Sequence, residues 1–330
     1  MSGQNEKIKR ADLLEERFDE VEHMGRWLHP DDAAERCLLS RGVAKGVYVV
    51  PARGFYARRA AFESLSIRER ALRTVRSLAA AHPDWLFCAF SAAMLHGLQV
   101  PFALLDKAHI VQAWSRTRTS SVVCRHAYSI EQCDCDIQLG VRVTSICRTL
   151  LDCLCIASFR EGLAIADSAL RWGGIERAEL EQYVAEKGRH RKGLNNARRV
   201  LRYSDGRSEN GGESIARAVM IEHGFVVPEL QTEVIDPMDP MNPKRCDFSW
   251  KFPDGQLILG ELDGMGKYVR DCNGDLRDVE GVAREMSRER TREAHLNLTN
   301  AKVVRFTFNQ VLDEGYFERL LLTAGVPKRT

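Results

Sequence analysis

The sequence predicts an α/β protein of several domains, and three observations carry that prediction. A chain of 330 residues is longer than one ordinary hydrophobic core. Its first 200 residues show repeated apolar stripes at helical spacing, such as Leu72, Val75, Leu78 and Ala79. Its last 120 residues alternate instead, in runs of strand formers broken by Pro and Gly between flanking helices. The composition is that of a globular protein, 44% hydrophobic and 28% charged with a net charge of +2. Residues 1–200 carry +6 and residues 201–330 carry −4, so the first part is the better place to meet phosphate. Residues 1–20 are highly charged and have no apolar core, which argues against a signal peptide. The apolar run Leu150–Phe159 is too short to span a bilayer. Cysteines inside apolar segments, such as Cys147, Cys153 and Cys155, fit reduced thiols, and a cytoplasmic location with no membrane partner is expected.

Residues 1–80 read as helix, helix, then a basic hairpin. A charged amphipathic helix covers 6–24 and a short helix follows Pro30-Asp31-Asp32, with Gly42 as its expected end. Two short β runs flank Pro51-Ala52-Arg53-Gly54, and a helix covers 67–82. That order is the outline of a winged helix. Arg53, Arg58 and Arg59 then sit where a wing would touch a phosphate, or else serve solubility on a surface hairpin.

Residues 81–203 read as a mixed, largely helical domain. Ser91 is the expected cap of a short helix that Gly97 ends, and His96, late in that helix, either serves nearby carbonyls or is catalytic. A strand passes into a helix near Thr144 and Ser145, with Arg148 and Asp152 at i,i+4. Helices are expected over 159–172 and 176–187. Cys133-Asp134-Cys135 lacks the spacing of a zinc site. The motifs SAAMLHGL, VTSICRTLLD and ADSALR, in that order, resemble AbiEi-like proteins over roughly residues 10–200. The resemblance implies an N-terminal winged helix that binds promoter DNA, a toxin protein as partner, and no chemistry in this half.

Residues 204–212, rich in Gly, Ser, Asn and charge, are expected to be a linker to a third domain at 213–330. Here a helix begins at about Glu213 and ends at Gly224, a strand runs over 226–234, and the three prolines of 236–244 suggest a loop. Residues 246–252 and 256–262 then form a hairpin around Pro253-Asp254-Gly255, where Pro suits the first central turn position and Gly the left-handed one. With that three-residue loop Phe252 faces Gln256, Asp247 faces Glu261, and Leu257, Leu259, Glu261 and Asp263 share a side. A two-residue loop would bring Leu262 opposite Asp247 instead. Three carboxylates would converge, and a divalent cation with oxygen ligands would relieve their repulsion. A solvent-facing strand edge kept charged against aggregation is the alternative. A helix near 279–298, a strand at 302–308 and a helix at 309–323 close the chain.

The Asp and E-x-D spacing resembles the PD-(D/E)XK nucleases, and its setting resembles the small endonuclease-like domains related to very-short-patch-repair enzymes. Glu213 in GGESIAR, Asp247, Glu261-Leu262-Asp263-Gly264, ERTREAHL with Glu289, Arg292 and Glu293, and VVRFT at 303–307 appear in the family's order over roughly 207–325. The resemblance implies a restriction-endonuclease-like mixed sheet flanked by helices, with Mg²⁺ or Mn²⁺ held by Asp247, Glu261 and Asp263 and DNA as the expected substrate. Glu213 would position a ligand and Arg292 would meet a phosphate. Asp263 stands where the wider superfamily has its catalytic Lys, and Lys267 either supplies that charge or points to solvent. Two functions follow: a metal-dependent endonuclease tethered to a DNA-binding regulator, or a non-catalytic antitoxin-like regulator with an inactive nuclease fold. No phosphate-binding Gly loop, dinucleotide fingerprint or Ser/His/Asp order is present.

Overall fold

The structure is a computed structural model that describes residues 2–112, 120–263, 295 and 301–329, with side chains described from residue 12. The expected helix at 279–298, apart from position 295, and the expected roles of Lys267, Glu289, Arg292 and Glu293 lie outside the described residues. The chain is α/β with mixed sheets, and it divides into two compact units: 1–156 with 176–197, and 157–175 with 198–330. Among the described residues no helix is long and apolar enough to cross a membrane.

The first unit opens with α1 (Ser2–His23), α2 (Ala33–Ala44) and the hairpin β1 (Tyr48–Ala52) and β2 (Phe55–Arg58). Asp32 caps α2 by accepting from Glu35 N–H. Phe18, Leu28, Leu39 and Tyr56 bury the contact between helices and hairpin. Gly42 does not end α2, which runs on to Ala44; a Cβ there would collide with the Tyr48 ring, so its small size serves close packing. Next come α3 (Arg59–Ser64) and α4 (Ile67–Ala81), the latter begun by a Ser66/Glu69 capping box.

A five-stranded mixed sheet follows, in the order β5-β4-β3-β7-β6. Its strands are β3 (Leu86–Phe87), β4 (Ala108–Val111), β5 (Val123–His126), β6 (Cys135–Gln138) and β7 (Val141–Thr144). Between β3 and β4 lies α5 (Ala89–Leu95), which begins at Cys88 rather than at Ser91. Ser91 is buried inside that helix and accepts from His109 N–H at 2.8 Å. Gly97 stops the helix at φ +84, and His96 bonds the Thr144 carbonyl of β7 at 2.8 Å. After β7 comes α6 (Ile146–Ile156), where Arg148 and Asp152 form the expected i,i+4 pair, buried. Tyr128 donates to Asp152, Tyr183 donates to Asp134, and Arg191 adds a second cation to Asp152 at 2.7 Å. Such a network satisfies buried charges that would otherwise be costly. Asp134 is therefore structural, and exposed Cys133 leans on Glu131.

The second unit begins with α7 (Phe159–Trp172), while α8 (Arg177–Lys187) belongs to the first unit and α9 (Leu194–Tyr203) bridges the division at 197. It continues with α10 (Gly211–Glu222), β8 (Glu229–Asp236), β9 (Asp239–Lys251), β10 (Leu257–Asp263), β11 (Ala301–Thr307), α11 (Phe308–Leu312) and α12 (Glu314–Ala324). Its sheet runs β11-β10-β9-β8, antiparallel except for the parallel β10–β11 pair. One face of the sheet carries Phe248, Trp250, Ile258 and Phe306 against the helices through Val219, Met220, Phe317 and Leu321.

Four expectations change here. Residues 204–212 are not an exposed linker: Ser204 and Ser208 are buried, and Asp205 N–H bonds Asp167 of α7 at 2.7 Å. Residues 157–175 join the C-terminal unit because Asp167 and Arg217 of α10 form a buried pair at 2.7 Å. The prolines of 236–244 do not make a long loop. Proline lacks an N–H, but along 239–245 β9 has only β8 as a neighbour, so its open side needs no ladder bond. The single final helix is two, because Asp313 breaks it and caps α12 by accepting from Tyr316 N–H.

Candidate functional site

The hairpin β9–β10 closes as its sequence predicts. Gly255 takes φ +85, its N–H reaches Phe252 O at 3.0 Å, and Phe252 N–H reaches Gln256 O at 3.0 Å. The ladder then runs from Leu257↔Lys251 to Gly260↔Phe248. One step further in the same register Asp247 stands across from Glu261. There a side chain takes over from the backbone, and Asp247 Oδ2 accepts from Leu262 N–H at 2.8 Å.

The neighbouring pair explains that change. β8 and β9 keep one register on both sides of Gln231 and Asp247, but those two are not in the ladder, and Gln231 holds φ +53. Leu230 and Phe248 pack on the helix-facing core, whereas Val234 and Cys246 pack with Leu259 on the opposite face. Both strands thus exchange faces at Gln231 and Asp247. Non-glycine residues enter the left-handed region at a cost, and such outliers cluster at working sites.

The carboxylates therefore do not converge as simple alternation predicts. Among the described residues no three carboxylates bring oxygens within 4.8 Å of one another. Asp247 turns toward Gln231, whose Nε2 lies 3.5 Å from Asp247 Oδ1 and 3.2 Å from Glu213 Oε2. Glu213, in the first turn of α10, also accepts from Glu209 N–H at 2.7 Å and pairs with Asn210. Glu261 and Asp263 share the other side with Arg305 of β11, which stands opposite Glu261 in the parallel register. Arg305 grips Asp263 with two nitrogens, at 2.7 and 3.1 Å, and comes within 3.6 Å of Glu261. Cys246 Sγ lies 3.8 Å from Glu261 Oε1.

Electrostatics separates these groups. Glu213 is 3% exposed, and burial, then the charge of Asp247, push its carboxyl up to about 7. Asp247 is half-buried. Gln231 gave no signal in the sequence, because its role depends on a backbone kink. Arg305 was visible in VVRFT, but its pairing with Asp263 depends on the parallel crossover.

The basic hairpin of the first unit also differs from expectation. Arg58 is held by Glu15, Asp19 and Glu22 of α1 and lies over the Phe18 ring, so its charge fastens the hairpin to α1. Arg59 bonds Gly46 O and Glu63, and Arg53 stands exposed at the turn.

A scan of known protein families finds no match. Over 95 residues, 29% of this chain, the sequence is 45% identical to an uncharacterized protein of Mycobacterium tuberculosis strain CDC 1551 / Oshkosh, and equally to one of strain ATCC 25618 / H37Rv. The match spans 33% of each relative's length. No solved structure matches.

Proposed function

We propose that the second unit is a restriction-endonuclease-like domain that hydrolyses nucleic-acid phosphodiesters with Mg²⁺ or Mn²⁺. In this reading it is coupled to a winged-helix-like DNA-binding region of an AbiEi-like regulator. The observation that carries the reading is the Asp247–Glu261 juxtaposition at the end of the hairpin ladder, beside buried Glu213. Asp247 and Glu261 would hold the metal, a number of carboxylates suited to Mg²⁺, which usually keeps several waters and shares phosphate oxygens. Asp263, gripped by Arg305, is outside that set. A bound ion would orient the attacking water and offset charge at phosphorus. Gln231 would fix the orientation of Asp247, and Glu213, near neutrality, would exchange a proton with that water.

Arg305 favours a second reading. A guanidinium bound to Asp263 and close to Glu261 already supplies positive charge, as an inactive, regulator-only fold requires. One experiment separates the two: thermal melting with and without Mg²⁺ or Mn²⁺, beside plasmid nicking. The nuclease reading expects a metal-induced rise in Tm and nicking, both lost in Glu261→Ala. A wild-type protein with neither response supports the regulator. DNA contact by the first unit rests on Arg53 with Arg59, so Arg53→Ala should weaken duplex binding at low salt for all sequences alike. Unchanged affinity removes the hairpin from the interface.

A further inference from the structure

We propose that His109, Cys124 and His126 form a transition-metal site of the zinc class in the first unit, separate from the carboxylates of the second. His109 lies on β4, and Cys124 and His126 lie on the edge strand β5. The parallel register sets His109 directly against Cys124, and His126 is two residues further on. Period-two alternation puts all three side chains on one face. Their ligand atoms lie within 4.8 Å of one another, the sole such His/Cys/Asp/Glu trio among the described residues. His109 Nδ1 and His126 Nε2 are 2.9 Å apart, with the rings stacked at 5.1 Å.

Chemistry narrows the ion. Two imidazoles and a thiolate suit Zn²⁺, Co²⁺ or Cu⁺, and not Mg²⁺ or Ca²⁺, which take oxygen. A tetrahedral zinc with Zn–N near 2.0–2.1 Å places two nitrogens about 3.3 Å apart, so the rings need to part by only a few tenths of an ångström. His109 is buried, while Cys124 and His126 are half-exposed, so solvent can reach a fourth position. On binding, the Cys124 S–H proton leaves to solvent as the S–metal bond forms, and the N–H shared between the rings moves to the donor ring's other nitrogen. The ion would tie edge strand β5 to β4, an edge that pairs on one side only.

The trio was readable only as Cys124-Arg125-His126, with His109 distant in sequence. The test uses the full chain, stripped of metal under reducing conditions and titrated with Co²⁺. Expected are the visible bands of four-coordinate cobalt with a sulfur-to-cobalt charge-transfer band, both displaced by Zn²⁺ and untouched by excess Mg²⁺. The charge-transfer band disappears in Cys124→Ser, and the visible bands shift or vanish in His126→Gln, whose thiol remains. A Cys133→Ser, Cys135→Ser double variant keeps every band. No cobalt spectrum in the wild type means a hydrogen-bonded His109–His126 pair only, and overturns the proposal. So does a charge-transfer band that survives Cys124→Ser, or one lost only in the double variant. Should Cys124→Ser fail to fold, unchanged bands in His126→Gln overturn the proposal and altered bands support it.

Discussion

Glu213 links local chemistry to measurable stability. Its folded-state carboxyl is pushed up to about 7, first by burial and then by Asp247. A raised carboxyl pKa means the folded state binds the proton more tightly than the unfolded chain does. Stability is therefore highest below the unfolded value and falls as pH rises through about 7. Glu213→Gln removes that dependence. In metal-free buffer the variant should match the wild type near pH 5 and exceed it near pH 8 by roughly 2–3 kcal/mol, since a tenfold difference in proton affinity corresponds to about 1.4 kcal/mol. Urea denaturation at the two pH values measures the difference. Parallel pH profiles for the two proteins would mean that Glu213 is stably ionised and no proton donor. The sequence placed Glu213 at the start of a helix, and the family resemblance gave it a ligand-positioning role, but neither showed its burial beside Asp247. Glu209 and Asn210 bind it locally, and Gln231 of β8, 18 residues away, closes over it.

At the scale of the element, the β9–β10 hairpin was legible because its turn chemistry is local. Pro253 fixes φ, Gly255 accepts φ +85, and the three-residue loop dictates which residues face each other. The helix expected over 67–82 was plain from the stripe Leu72, Val75, Leu78 and Ala79, and it runs to Ala81; the Ser66/Glu69 and Ser158/Glu161 capping boxes that open it and α7 were not read from the sequence. The face exchange at Gln231 and Asp247 was not legible, since an alternating pattern carries no mark for one residue in the left-handed region. A pair of turn variants tests whether register carries the site. A Cβ on Gly255 meets nothing within 4 Å, so Gly255→Ala should cost only backbone strain, about 1 kcal/mol, and keep the metal-induced rise in Tm. Deleting Gln256 keeps the three-residue loop, slides the second strand by one, moves Leu262 opposite Asp247 and should abolish that rise. A deletion variant that still responds to Mg²⁺ like the wild type would show that the Asp247–Glu261 pairing is not the metal site.

At the scale of the whole molecule, the boundary between units is where composition misled. A polar, Gly-rich stretch reads as a linker, yet 204–210 is pinned by Asp167 and lies within the second unit. The deciding contact is between residues 50 apart: Arg217 and Asp167, 2% and 1% exposed, bonded at 2.7 Å. Burial pushes the Asp167 carboxyl up while Arg217 pulls it down, so each charge depends on the other. Arg160 of α7 adds ion pairs to Glu222 and Glu314 of the same unit. A fragment 207–330 lacks α7 and leaves Arg217 buried without its partner. Breaking one side of a buried pair costs about 3–5 kcal/mol, a large part of the roughly 5–15 kcal/mol that holds a domain. Residues 207–330 expressed alone should therefore unfold at much lower urea than the same unit in the full chain. Arg217→Met should regain part of the loss in the fragment while destabilising the full chain, where it orphans Asp167. Nicking the full chain within 204–210 should leave the two pieces associated until urea is added. A fragment 207–330 as stable as the intact unit, with Arg217→Met costly in both settings, would restore the boundary to the polar stretch and make α7 part of the first unit.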